Sequence, residues 1–141
     1  MDTAVWVCEN PSVLAAAAGT GACVVCVEGR PSVAANLLLS SLAKGGACLH
    51  YHGDFGAGGI SIANAIIGGI GAEPWRLGVA DHASALERAR AMGTPLRPLR
   101  AMVPEAVWDP DLATAVRASG VEVEEELVMD WLLADLLASS P

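Results

Sequence analysis

A short apolar run, an acidic turn and a proline–serine helix start occur twice near the beginning of the chain, and this repeat limits the folds open to it. Val5–Cys8 is followed by Glu9-Asn10-Pro11-Ser12-Val13, and Ala22–Val27 by Glu28-Gly29-Arg30-Pro31-Ser32-Val33. Each copy reads as strand, loop and helix. Proline suits a first helical turn, where its missing N–H would have no partner, and Ser12 and Ser32 suit helix caps. The helices are expected over Val13–Ala18 and Val33–Ala43. Lys44-Gly45-Gly46 ends the second, and Ala47–His52 makes a third strand. The glycine-rich Gly53–Gly59 loop leads into a helix from Ile60, Glu73–Val79 reads as a fourth strand, and Asp81–Met92 as the next helix. Alternation at this spacing predicts a parallel sheet with helices on both faces. Near-continuous apolar strands agree with burial on both sides.

The remainder is less regular. Met92–Val107, with Pro95, Pro98 and Pro104, reads as a loop. Asp109 is placed to cap a helix that runs to Ser119 and stops at Gly120. A last helix is expected from Glu124 to Ala138, its acids favoured in the first turn by the helix dipole. The expectation is one Rossmann-like α/β domain over residues 1–141. It has a mostly parallel four-stranded sheet in residues 1–92, and a loop with a C-terminal helical extension in 93–141.

Just over half of the residues are apolar (53%), with one Phe and one Tyr, so the core must be aliphatic. No apolar run reaches the length needed to span a bilayer, and Met1-Asp2-Thr3 lacks the basic flank of a signal peptide. Cys8, Cys23, Cys26 and Cys48 lie in or beside apolar runs and read as buried, reduced thiols, which suits a cytoplasmic protein. The net charge of −8 is unevenly placed. Residues 1–104 carry seven acidic and seven basic side chains, whereas residues 105–141 carry nine acids and Arg117 alone. Arg88, Arg90, Arg97 and Arg100 precede the acidic segment and could turn a basic face to phosphates. Bulk charge alone does not make the chain a strong DNA binder.

In an open parallel sheet, ligands bind at the carboxyl ends of the strands. Glu9 and Asp54 stand at two such ends, where a pair of carboxylates can hold a hard cation such as Mg²⁺. The alternative is that both cap the helices that follow. His52, near Asp54, is a candidate to touch substrate or metal, while His50 reads as structural. Arg30, opening a helix, is a candidate phosphate contact, with a surface ion pair as the alternative. The glycines after Asp54 do not form a dinucleotide fingerprint, which would have to follow the first strand. Tyr51, the one tyrosine, lies inside a strand, which argues against a tyrosine nucleophile.

A glutamate after the first strand and an aspartate motif after a later one resemble the Toprim signature of topoisomerases, primases and related nucleases. More narrowly, C-E-N-P-S-V, E-G-R-P-S, Y-H-G-D-F-x-x-G-G, I-A-N-A-I, A-E-P-W-R and V-E-E-E are similar, in order over residues 5–137, to the C-terminal domain of the Wadjet nuclease subunit. The resemblance implies DNA phosphodiester hydrolysis with Mg²⁺ or Mn²⁺, a homodimer, and condensin-like partner subunits of a plasmid-defence system, with no membrane. It gives Glu9 the place of the metal-associated glutamate and general base, and Asp54 that of the first Asp of Asp-x-Asp. Glu124 and Glu126 match glutamates of V-E-E-E and are candidate metal ligands. The second Asp is replaced by Gly56, which weakens the expected site. A non-catalytic interaction or dimerisation module, and an RNA-processing Toprim nuclease, are the alternatives.

Overall fold

The computed structural model describes residues 3–139; Met1-Asp2, read above for a targeting leader, lie outside them. Ala4–Cys8 (β1), Val24–Cys26 (β2), Cys48–Tyr51 (β3) and Glu73–Pro74 (β4) form one all-parallel sheet in the order β2-β1-β3-β4. The chain moves one way from β1 to β2 and the other way from β2 to β3. Right-handed crossovers therefore put the two intervening helices, α1 (Pro11–Ala17) and α2 (Val33–Lys44), on opposite faces. The central strands carry the core residues Val5, Val7, Cys8, Leu49 and Tyr51, which share one core with Leu39, Ile60, Leu112 and Leu132 from the helices and Leu77 from the loop after β4. Tyr51 and Phe55, the one tyrosine and the one phenylalanine, are both buried, and Trp75 joins them in a core that is otherwise mainly aliphatic.

The repeated proline starts are built differently. Asn10, not Ser12, caps α1: its Oδ1 accepts the Ser12 N–H at 2.8 Å, which makes Pro11 the first helical residue. In the second copy Ser32 is the cap, accepting the Ala35 N–H at 3.1 Å, so Pro31 stays outside the helix. The helix after β3 also starts earlier than its glycines suggest. α3 spans Ala57–Ala63 and passes into a π-helical turn, Asn64–Gly68. Gly59 lies inside it because a Cβ there would stand 2.0 Å from the Asp54 carbonyl oxygen. Asn64 ties the π turn to the proline-rich segment, donating to the Glu105 carbonyl at 2.8 Å and accepting the Val107 N–H at 2.9 Å.

Several expected elements are shorter than their apolar patterns, β2 and β3 among them, which cover only Val24–Cys26 and Cys48–Tyr51 of the runs Ala22–Val27 and Ala47–His52. The fourth strand ends after Pro74, not Val79. Trp75 still donates its N–H to the Tyr51 carbonyl at 2.8 Å, but Arg76 then turns to φ 46°. Both side chains are held by Asp135, which accepts from Trp75 Nε1 at 2.8 Å and from Arg76 at 2.6 and 2.9 Å. The next helix, α4, covers Val79–Met92. Asp109 helps to start this helix rather than the following one, accepting the Val79 N–H at 2.8 Å. α5 therefore begins only at Leu112 and runs to Ser119, with Gly120 closing it at φ 71°. The segment expected as one helix from Glu124 is a 3₁₀ turn over Glu125–Val128 followed by α6, Met129–Ser139, with Glu124 extended.

All four cysteines are free. Cys8 is buried and Cys26 and Cys48 are half-buried, but Cys23 is exposed, because the edge strand begins after it. Among the described residues no helix is long and apolar enough to cross a membrane.

The turn after Asp54 yields a paired prediction. Gly58 is exposed and helical, with nothing within 4 Å of where its Cβ would stand. Gly58→Ala should raise unfolding stability by about 0.5–1 kcal/mol. Gly59→Ala should lower it by about 3 kcal/mol or more through overpacking. Urea unfolding of the two variants reads both; equal effects would mean that the turn is not tightened at Gly59.

Candidate functional site

Parallel pairing aligns Val7 with Tyr51, and the His52 N–H extends the ladder to the Val7 carbonyl at 3.0 Å. Glu9 and Asp54 therefore leave the sheet side by side. Glu9 Oε2 accepts the Asp54 N–H at 3.1 Å, and Asp54 Oδ1 accepts the Glu125 N–H at 2.7 Å. A Cβ on Gly53 would stand 2.7 Å from Tyr51 Oη and 2.9 Å from Glu9 Oε2, so the carboxylate passes where only glycine leaves room. The second oxygens, Glu9 Oε1 and Asp54 Oδ2, have no hydrogen-bond partner among the described residues, and neither carboxylate is in an ion pair there. Both residues line a cleft of about 260 Å³ shared with Gly56, Ile62, Arg100 and Glu122.

Beneath this cleft Glu125 joins the ends of the chain. Its side chain is fully buried. It accepts the Glu9 N–H at 3.2 Å and the Asn10 N–H at 2.9 Å, and pairs with His52 Nδ1 at 2.9 Å. Its own N–H is the one given to Asp54. A buried carboxylate is tolerated only when hydrogen-bonded in this way, and this one orders both strand-end loops.

The carboxylates crowd one another. Burial, and then the neighbouring Glu9 charge, push Asp54 up to about 7, against which the Glu125 N–H acts in the opposite direction. Burial likewise raises Glu9, partly offset by the Asp54 N–H. Burial pushes the Tyr51 hydroxyl well above its ordinary range, and that hydroxyl has no hydrogen-bond partner. An inert, buried phenol is not placed as a nucleophile.

The other sequence candidates fall elsewhere. His52 is 1% exposed and turned onto Glu125, so it meets neither the cleft nor anything in it. His50 stacks on Trp6 at 4.6 Å and faces Glu73, a structural place. Arg30 reaches Ser61 Oγ at 3.4 Å and is not among the residues lining the cleft. Glu124 faces Arg97 at 3.6 Å, and Glu126 accepts from Asn10 Nδ2 at 2.5 Å. Both line a separate cleft of about 450 Å³ on the far side of Glu122. Within V-E-E-E, then, the middle glutamate reaches the strand ends. A helix starting at Glu124 would set Glu124 and Glu126 about 200° apart, but Glu124 is not helical at all.

Sequence reasoning missed Glu122 and Glu125, and placed Arg100 only within a general basic face rather than at the Glu9–Asp54 cleft. For Glu122 a signal existed: Val121-Glu122-Val123-Glu124 alternates with the period of an extended segment. Val123 does pair with Phe55 there. Glu122 lies against Gly56, whose Cβ would stand 3.2 Å from Glu122 Cγ. Gly56 itself has extended backbone, φ −178°, that any residue adopts.

Mg²⁺ and Mn²⁺ take oxygen ligands, and Mg²⁺ in particular keeps several waters when bound through one or two carboxylates. Two adjacent carboxylates, each with one oxygen free and neither with a cationic partner, suit such an ion. Among the described residues no three His, Cys, Asp or Glu side chains form a ready metal shell. Glu9 and Asp54 would thus hold a cation together with waters or substrate oxygens.

Comparison with known proteins gives one family. A family model described as "Protein of unknown function C-terminus (DUF2399)" matches residues 1–136. No curated protein and no solved structure matches the chain. With nearly its whole length matched, the chain belongs to the DUF2399 family.

Proposed function

We propose that this chain is the Toprim-like domain of a metal-dependent DNA nuclease of a Wadjet-type plasmid-defence system. On this reading it works in the cytoplasm as a homodimer beside condensin-like subunits. The observation that carries the reading is the pairing of Glu9 and Asp54 at neighbouring strand ends, each with one oxygen fixed by a backbone N–H and one left to the cleft. Perturbed, desolvated carboxylates of this kind cluster at functional sites. A bound Mg²⁺ or Mn²⁺ supplies Lewis acidity toward a phosphodiester. The chain's own part is to present two oxygens at fixed spacing and to keep Glu9 beside the cleft as a proton acceptor. Gly56 contributes no carboxylate, so the affinity for metal is modest.

A second reading, a non-catalytic interaction module, has its own observation. α2 exposes three large apolar side chains, Val33 at 77%, Leu37 at 64% and Leu38 at 48%. Large exposed apolar patches mark interaction surfaces.

Calorimetry with Mn²⁺ separates the two. The nuclease reading expects binding that Glu9→Ala abolishes. No heat at millimolar Mn²⁺ would sink it and leave the interaction module.

The raised Asp54 value sets a further expectation for the metal-free protein. Its folded value, about 7, lies above the ~3.9 of an unfolded Asp. The folded state thus holds the proton more tightly between these values. The stability this group lends is full at low pH and lost as pH rises through 7. Melting temperature should fall from pH 5 to pH 8, and Asp54→Asn should flatten that slope. Mn²⁺ competes with the same proton, so its affinity should rise over the same interval. A melting temperature independent of pH in both proteins would mean that Asp54 titrates normally.

A further inference from the structure

We infer that Arg100 is the phosphate-binding residue of this cleft, with Glu122 as the counter-ion that a substrate phosphate displaces. The inference rests on the reading of the Glu9–Asp54 cleft as a phosphodiester site. Among the described residues that line the cleft, Arg100 is the cationic one, and it shares the lining with Glu9 and Asp54. Arg76, Arg88 and Arg117 are engaged closely. Arg76 and Arg88 each make two-pronged pairs with Asp135 and Asp130 at 2.6–2.9 Å, and Arg88 also lies over Trp131 at 4.6 Å. Arg117 holds the Val103 carbonyl at 2.6 Å and Glu105 at 2.9 Å. Arg100 instead meets Glu122 at 3.9 Å through a single nitrogen, with its side chain 66% exposed. That separation is beyond hydrogen-bonding distance, and exposed pairs of this kind contribute little. The guanidinium fork is therefore available, and it matches the two free oxygens of a phosphodiester.

Glu122 owes its place to Gly56. Its Cγ would lie 3.2 Å and its Cδ 3.5 Å from a Cβ at position 56, so the missing side chain leaves the space in which the glutamate rests. There it keeps a negative charge beside Arg100. An arriving phosphodiester carries one negative charge and replaces that partner, leaving Glu122 to turn to solvent. The cleft then offers the phosphate two attractions: the Arg100 guanidinium, and any cation held by Glu9 and Asp54. Arg30, the arginine that the sequence favoured for this role, stands outside the cleft at Ser61.

The test is an amide NMR titration of the full chain with the dinucleotide thymidylyl-thymidine, with and without Mg²⁺. Shifts are followed at Gly56, Ala57 and Ala101, and Mg²⁺ binding at Asp54. Arg100→Gln should weaken the dinucleotide at least about tenfold, since a charge-assisted contact of this kind is lost. Glu122→Gln should tighten it a few-fold. Both substitutions are at exposed or half-exposed side chains, and the amide spectra report folding directly. Unchanged affinity in Arg100→Gln, or weaker binding in Glu122→Gln, would overturn the inference; the latter would make Glu122 a cation ligand. If Asp54 does not respond to Mg²⁺ while the Arg100 dependence persists, the metal reading fails and the phosphate site stands. If Asp54 responds and the dinucleotide ignores Arg100, the reverse holds.

Discussion

The buried carboxylate of Glu125 holds the two ends of this molecule together. It lies 116 residues from Glu9, whose N–H it accepts, and its own N–H fixes Asp54. Removing a carboxylate from water is costly unless every lone pair is used, and here two backbone donors and His52 use them. The same charge acts outward, raising Glu9, Asp54 and Tyr51 alike. His52 is the single ring facing Glu125, and its Nε2 has no partner. The arrangement beneath the cleft is thus rich in acceptors and poor in donors. Its favourable partners are a proton, which Asp54 binds near neutrality, or a cation.

The parts of the fold that were legible in the sequence are those set by local chemistry. Short apolar runs, glycines and prolines marked the places of three of the strands and the ends of α2, α4 and α5. Features decided by distant partners were not legible. The fourth apolar run stops after two strand residues because Asp135, near the other end of the chain, pulls Trp75 and Arg76 out of line. The glycine run after Asp54 reads as a loop, yet Gly59 is helical, and its need for glycine comes from the Asp54 carbonyl packed against it.

The site shows the same division. Glu9 and Asp54 were visible because a charge directly after a buried strand has few places to go. Glu125 was hidden among three consecutive glutamates, which no local pattern separates. Burial chose the middle one, since the 3₁₀ turn starting there points it inward while Glu124 and Glu126 remain toward the neighbouring cleft. Gly56 read as a simple loss of a carboxylate. In three dimensions its space is occupied by Glu122, so an acid is present at the same wall, supplied from the other end of the chain.

The lopsided charge of the sequence resolves in the same way. The acids after residue 104 do not form a free tail. Asp135 and Asp130 grip Arg76 and Arg88, Glu124 and Glu122 face Arg97 and Arg100, Glu105 faces Arg117, and Asp109 caps α4. The C-terminal segment thus places an acid beside three of the four arginines that, in sequence, looked like a basic face: firmly at Arg88, and more loosely at Arg97 and Arg100. This constrains any contact with nucleic acid. A protein that neutralises many phosphates has affinity that falls steeply with salt, and here most cations are already answered from within the chain. On the proposed reading, attraction to DNA is concentrated at one cleft, through Arg100 and whatever cation Glu9 and Asp54 hold. The domain then contributes the chemistry at a single phosphate, and affinity for the rest of the duplex comes from the assembly around it.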